Sequence, residues 1–333
     1  MKGLRLIATG GALPGRTVTN EELSRTVDTS DEWITTRTGI RTRHYCTEGE
    51  NAATLAIAAA KQALQRSGLA PADIACCVCA TLSAPDATPS VACQVQAALG
   101  LPENRPALDI NAACSGFLYG MAVARGMLTT LGGQYALVIG CEALSRLMDP
   151  ADRSTCVLFG DGAGAVLVEA TEEENVGVQN SYLRTDGQGL PFLHMKAGGS
   201  VCPPSHFTVD HRLHYLYQEG RTVFKYAVSN MSDITATIAE KNGLNKDNID
   251  WVIPHQANLR IIDAVASRLE VPLDKVMINI QRYGNTSGAT LPLCLWDYEK
   301  QLKKGDNLIF TAFGAGFTYG AVYVKWGYDG SKR

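Results

Sequence analysis

Apolar positions along the chain fall into two kinds of run, short and nearly continuous or longer with helical spacing, which is the alternation expected of an α/β protein. A helical segment at 52–69, AATLAIAAAKQALQRSGL, leads into the strand-like ACCVCAT; a second at 228–244, VSNMSDITATIAEKNGL, leads into IDWVIPHQ. In each copy six residues separate the helix-ending glycine from the isoleucine opening the next strand, Gly68 to Ile74 and Gly243 to Ile249. The spacing predicts left-handed glycine caps at both helix ends and a buried stripe of Met231, Ile234 and Ile238. It also predicts an internal duplication. From the two glycines it is 48 residues to Gly116 of CSG and 45 to Gly288 of TSG, so the loops carrying these glycines are expected at equivalent places. Two α/β halves, residues 1–171 and 172–333, are therefore expected; the spacing alone shows no more than this duplication.

Three segments carry chemistry. NAACSG sets Cys114 between the apolar run ALDI at 107–110 and the amphipathic stretch GFLYGMAVARGML at 116–128. At a strand-to-helix turn the free amides and the positive end of the helix dipole favour thiolate over thiol, so the cysteine is expected to titrate below its free value of ~8.5. Ala112, Ala113, Ser115 and Gly116 are small enough to let a substrate reach the sulfur. A lone cysteine in an apolar stretch also suits a small buried hydrophobe. WVIPHQAN sets His255 where a buried strand leaves its sheet, and RYGNTSGA sets Asn285 between Gly284 and Gly288 before another apolar helix. Alone, these suit a core histidine and a turn asparagine. Together with Cys114 they make a soft nucleophile, an imidazole and a neutral amide donor, a full set for thioester chemistry.

Bulk properties narrow the class. The chain has 333 residues, a formal charge of −3 and 46% hydrophobic residues, an ordinary globular composition without a global signature for nucleic acid. Phosphate recognition must come from local basic clusters. MKGLRLIATGGALPG is broken by Arg5 and glycines and gives no signal peptide, and no later segment approaches 18 uninterrupted apolar residues, so a cytoplasmic protein without membrane insertion is expected. Ten cysteines, mostly in apolar runs, point to free thiols in a reducing compartment. Cys76, Cys77 and Cys79 lack partners at zinc-ligand spacing and read as one buried strand, so no metal is expected. FGDGAGA resembles a nucleotide loop, but the following AVLVEA reads as a strand, so its glycines serve close packing or a turn.

On these motifs the chain resembles the β-ketoacyl-acyl-carrier-protein synthase III family of the thiolase-like condensing enzymes. The resemblance runs the length of the sequence: TSDEWITTRTGIRTR at 29–43, PSVACQ at 89–94, AACSG, DPADR at 149–153, FGDGAGA at 159–165, PHQANLR, YGNTSGA and AFGAGFTYG at 312–320. It implies a five-layered αβαβα fold built from two duplicated halves. It assigns catalysis to Cys114, His255 and Asn285. The thiolate would take an acyl group from acyl-CoA; His255 and Asn285 would then hydrogen-bond the enolate left when malonyl carrier protein loses CO₂. For His255 this requires a donor nitrogen facing the substrate.

The resemblance also implies how substrates are held. Oxyanion support falls to the FGAGF loop, Phe313 and the Ala315 amide, where many relatives have glycine. CoA would meet Trp33 and Arg153 at its adenine, Arg37 at its phosphates, and Gly220 and Asn258 along the pantetheine arm. Arg260 and Arg268 would face the acidic carrier protein; Leu144, Phe159 and Phe224 would wall the acyl pocket. Thr88 would close its far end across a homodimer interface, where short-primer members often carry phenylalanine. Acyl-CoA and the carrier protein are substrates, and no cofactor is implied. The product is a β-ketoacyl carrier protein that initiates fatty acid synthesis. The same trio also serves polyketide or quinolone pathways that use unusual acyl-CoAs. A degradative thiolase would need a second cysteine in AFGAGFTYG, which has none, and a nucleotide-dependent oxidoreductase would rest on GDGAGA alone.

Overall fold

The computed structural model describes residues 3–332. Two sheets organise it. The first is five-stranded, in the order Gly3–Ala12, Asp161–Thr171, Tyr135–Ala143, Ile74–Ala80, Ala107–Ile110. Its last three strands pair in parallel and the other neighbours antiparallel. The second sheet has four strands, Trp251–Pro254, Asn307–Gly314, Thr318–Lys325 and Gly177–Thr185, with only the first pair parallel.

Burial resolves these sheets into five layers. Helices Gly116–Leu131 and Thr290–Tyr298 lie between the sheets, where Phe117, Met121, Leu291 and Leu295 share one core with Val138 and Val166 of the first sheet and Phe310 and Val322 of the second. Outside the first sheet, Ala-rich helix Ala52–Ser67 and helix Val91–Leu99 cover Cys77, Cys79, Leu137 and Ile139. Outside the second, helices Gly220–Lys241 and Leu259–Arg268 cover Val252, Ile309 and Tyr323. Strand residues alternate faces, so each sheet buries one face inward and one outward. The result is the αβαβα thiolase-like fold.

Local chemistry follows the sequence closely. Asn51 and Thr54 form a reciprocal capping box, and Gly68 ends the first helix in the left-handed region at φ 75°. The second helix starts earlier than the expected 228 and takes Gly220 as its first residue, because Val223 and Ala227 extend the stripe of Met231, Ile234 and Ile238. It is capped by Asn242, with Gly243 following at φ 65°.

The duplication holds, with a shifted register. Each central helix is entered through a 3₁₀ turn whose first residue has positive φ, Ala113 at 45° and Ser287 at 47°. Gly116 and Thr290 then open the α-helices with nearly equal dihedrals. The place of Cys114 is therefore taken by Gly288, two residues from the alignment of CSG with TSG. The tripeptides are alike in sequence, but backbone conformation sets the equivalence.

FGDGAGA is itself mostly strand, since Asp161 to Ala165 open strand Asp161–Thr171 and no helix follows the motif, so the nucleotide-loop alternative is excluded. A Cβ on Gly164 would stand 2.7 Å from Leu293 N and from Pro292 C, so the glycine lets the central helix lie on the strand. Cys76, Cys77 and Cys79 are buried in strand Ile74–Ala80, and all ten cysteines are free thiols. Among the described residues no group of His, Cys, Asp and Glu could hold a metal, and no helix is long and apolar enough to cross a membrane.

Candidate active site

Cys114 sits in the 3₁₀ turn Ala113–Ser115, at the head of the 16-residue helix Gly116–Leu131. The turn is tight because its neighbours are small: a Cβ on Gly116 would lie 2.8 Å from that of Ala80. Two hydroxyls staple it to the second sheet. Thr318 Oγ1 donates to Ala112 O at 2.8 Å, and Ser115 Oγ donates to Thr318 O at 2.9 Å. Gly314 closes against the nucleophile, since a Cβ there would stand 2.6 Å from Cys114 N. The FGAGF loop thus begins on top of the cysteine amide.

His255 leaves strand Trp251–Pro254 with its amide still donating to Thr311 O at 2.8 Å. Gln256 fixes the bend: its amide group donates to Pro254 O and Met277 O and accepts from the amides of Asn279 and Ile280. His255 Nδ1 lies 2.7 Å from Thr290 Oγ1, which leaves Nε2 as the free ring nitrogen. Asn285 is held by its main chain between Leu158 O at 2.9 Å and Gly160 N at 3.0 Å. Its Oδ1 accepts from Ser287 N at 2.8 Å, so the carbonyl side is occupied and the Nδ2 donors are left over.

Cys114, His255 and Asn285 line one cavity of about 640 Å³. Phe313, Ala315, Trp33, Arg37, Gly220, Asn258, Arg260, Leu144, Phe159 and Phe224 line it too. The guanidinium groups of Arg37 and Arg153 lie 4.6 and 5.0 Å from the Trp33 ring, and Asn258 Nδ2 donates to Arg37 O at 2.9 Å. Arg153 touches Trp33 without lining the cavity. Arg268 lies at the far end of helix Leu259–Arg268, exposed beside Asp233 at 3.9 Å, also outside the cavity. Thr88 is exposed and contributes nothing to the cavity of its own chain. Phe224 faces Arg260, 5.1 Å from ring to guanidinium, and stands apart from the apolar cluster of Leu144, Met148 and Phe159.

That apolar cluster is completed by residues the sequence did not single out. Leu82, Leu158 and Leu216 pack on it, and Leu193 lines the cavity from the strand paired with that of Leu216. The hairpin belongs to the aromatic and histidine-rich stretch 192–217. Its two leucines carry no motif, and only the pairing of Leu193–Met195 with Leu216–Gln218 aims them inward.

Burial governs the charges. His255 is pushed down to about 3, so the imidazole is neutral. Cys114 is pushed up to about 12 by burial and by the nearby Glu142, against the helping Ser287 hydroxyl and its own amide. The expected low value is thus corrected: the helix terminus favours thiolate, but removing the sulfur from water costs more. Glu142, fully buried, is raised by burial to about 7 despite hydrogen bonds from Ser83 and Leu82 N.

The family model for 3-oxoacyl-[acyl-carrier-protein] synthase III matches residues 108–187, and its C-terminal counterpart matches 239–326. A β-ketoacyl-[acyl-carrier-protein] synthase III from Phocaeicola vulgatus is 66% identical over 97% of this chain and 97% of its own. The crystal structure of 3-oxoacyl-[acyl-carrier-protein] synthase III from Aquifex aeolicus is 41% identical, with a TM-score of 0.88 over 97% of this chain and all of the other. The priming β-ketosynthase of the R1128 polyketide pathway is 31% identical, with a TM-score of 0.89 over 98% and 97% of the two chains.

Proposed function

We propose, for a chain that belongs to the 3-oxoacyl-[acyl-carrier-protein] synthase III family, that Cys114, His255 and Asn285 carry out its reaction. The protein is an acyl-transferring condensing enzyme: it joins an acyl-CoA primer to malonyl carrier protein with loss of CO₂, the initiating condensation of fatty acid synthesis. The observation that supports the residue roles is that all three buried side chains line a single cavity.

The Cys114 sulfur attacks the thioester carbonyl, and the oxyanion is met by the amides of Cys114 and Ala315, a pairing supported by the close approach of Gly314 to Cys114 N. CoA leaves and the acyl chain stays on Cys114, lying along Leu82, Leu144, Phe159 and Leu216. Malonyl carrier protein then loses CO₂, and the enolate oxygen accepts from Asn285 Nδ2 and His255 Nε2–H. The carbanion attacks acyl-Cys114 and the β-ketoacyl product departs. Thr290 Oγ1 lies 2.7 Å from His255 Nδ1 and 2.9 Å from Ser287 O, and its single proton serves only one of them. Decarboxylation needs that proton on the ring side, which sets the Nε2–H tautomer; ¹⁵N shifts of His255 are expected to report it.

Trp33 with Arg37 and Arg153 forms a cation–aromatic platform for the CoA nucleotide, Asn258 and Gly220 flank the pantetheine arm, and Arg260, with Arg268 behind it, meets an acidic carrier protein. The halves 1–171 and 172–333 supply the nucleophile and the decarboxylating pair, and the enzyme works as a cytoplasmic homodimer without a bound cofactor. The R1128 relative supports a second reading, priming of a polyketide with an unusual acyl-CoA. Intact-mass measurement of the acylated enzyme over a panel of acyl-CoAs tests both. Cys114→Ala is expected to fold normally and take no acyl group; an acylated alanine variant would overturn the assignment. His255→Ala and Asn285→Ala should still acylate but decarboxylate poorly.

A further inference from the structure

Close to Cys114 lies a buried carboxyl that the condensation does not use. Glu142 is at the inner end of strand Tyr135–Ala143 and has no solvent exposure. Its Oε2 is well supplied: Ser83 Oγ donates to it, as do Leu82 N at 3.2 Å and Thr81 Oγ1 at 3.3 Å. Its Oε1 has no hydrogen bond of regular geometry, and neither has the equally buried hydroxyl of Ser287. What contacts these two atoms do make are with each other, with Gly288 N and with Cys114, all outside regular hydrogen-bond geometry.

Their location is informative. A Cβ on Gly288 would touch Ala113 O at 3.4 Å and Glu142 Oε1 at 3.6 Å, so Oε1 and the nucleophile turn meet at one point. The Ser287 hydroxyl is close enough to favour the anions of both Cys114 and Glu142, and it lines the cavity beside Cys114. A hydroxyl between a thiol and a carboxylate can accept from one and donate to the other.

We propose that Glu142, acting through the Ser287 hydroxyl, holds the Cys114 proton while the enzyme is acylated. This rests on reading Cys114 as the acylated thiol. In the first half-reaction the Cys114 S–H proton passes to Ser287 Oγ, the Ser287 proton passes to the Glu142 carboxylate, and the sulfur bonds to the acyl carbon. The bond from that carbon to the CoA sulfur breaks, and CoA thiolate takes its proton from water. In the second half-reaction the carbanion displaces Cys114 thiolate, which recovers its proton from Glu142 by the reverse route. Over the cycle one proton is consumed from solvent, as loss of CO₂ from a malonyl thioester requires.

The groups facing Glu142 are Thr81, Leu82 and Ser83 from the loop after strand Ile74–Ala80, Gly162 across the ladder, Ser287 and Gly288 from the opposite turn, and Cys114. Of these only Cys114 titrates. A carboxyl raised to about 7 is therefore the group expected to shape acylation between pH 5.5 and 8.

The test is the pH profile of single-turnover acylation by acetyl-CoA or octanoyl-CoA, whichever the unaltered enzyme accepts, followed by intact mass. The wild type should gain rate through pH 7, whereas Glu142→Gln should stay on the low-pH plateau. The ratio of the two should rise from a few-fold at pH 5.5 to about 10²-fold at pH 8, the range of general-base assistance. Ser287→Ala should lose the same limb while keeping the carboxylate; it is the decisive variant if Glu142→Gln folds poorly. A rate lowered equally at every pH, or unchanged, would overturn the proposal. Failure of the wild type to acylate on Cys114 would instead overturn the reading on which it rests.

Discussion

At Glu142 the folded and unfolded chains hold different numbers of protons over the neutral range. The folded carboxyl titrates near 7 and an unfolded glutamate near 4.5, so the unfolded state ionises first as pH rises. Stability is therefore lost between about pH 4.5 and 7, on the order of 3 kcal/mol by the shift between the two. Glu142→Gln should gain stability relative to wild type as pH goes from 5 to 8, and denaturant melts at the two pH values check it. His255 works the other way: its folded value lies near 3, so stability is lost as pH falls from 6.5, and no limb of the rate profile above pH 5 should belong to it. The trio was legible because each member carries a local mark, a small-residue turn, a strand exit or a glycine-flanked loop. Glu142 carries none. Its partners come from residues 59 positions before it and 145 after it, and no local pattern in CEALS records them. The thiol's direction of titration is illegible for a related reason, since the helix end is written in the sequence and the depth of burial is not.

Helices and strands in this fold approach closely enough that single hydrogens decide the packing. Gly162 and Gly164 share one strand and differ in what a methyl group would meet. At Gly162 it would reach the flexible Leu293 Cδ1 at 3.0 Å; at Gly164 it would meet main chain at 2.7 Å. Gly164→Ala should thus destabilise by about 1–3 kcal/mol or more and Gly162→Ala by less, measured as denaturation midpoints. Gly314→Ala tests catalysis at the same scale, because its methyl would press on Cys114 N. It should abolish acylation in a protein that still melts cooperatively; full acylation would mean that the strand end does not shape the oxyanion site. Element type was readable from apolar spacing and capping residues throughout. Register between the halves was not. CSG and TSG look alike, but Ser287 rather than Asn285 corresponds to Ala113, because both enter their helices at positive φ. A dihedral leaves little trace when the residue adopting it is not glycine.

Across the whole molecule two distances matter, from the cavity to the carrier protein and from the cavity to a second copy of the chain. Arg260 lines the cavity and Arg268 does not, so Arg260→Glu should raise KM for the carrier protein more than Arg268→Glu does, with less effect on KM for acyl-CoA. Both effects should shrink with added salt. The acyl end poses the second question. Within one chain it is lined by Leu82, Leu144, Phe159 and Leu216, and Thr88 lies exposed on a loop without lining it. If a homodimer turns that loop toward the neighbouring cavity, threonine in place of an aromatic ring leaves room for a longer primer. Each buried methylene contributes ~0.8 kcal/mol, so a few of them shift preference by orders of magnitude. The wild type should therefore accept octanoyl- or dodecanoyl-CoA, and Thr88→Phe should move preference toward acetyl-CoA. A mixed dimer identifies the route: pair a Cys114→Ala chain with a Thr88→Phe chain, so that the only reactive sulfur belongs to the chain carrying phenylalanine. Across an interface that sulfur faces an unaltered threonine and should keep the long-chain preference. Retention of the acetyl preference in the mixed dimer would mean that residue 88 acts within its own chain, and strict acetyl preference in the unaltered protein would remove the argument for a channel.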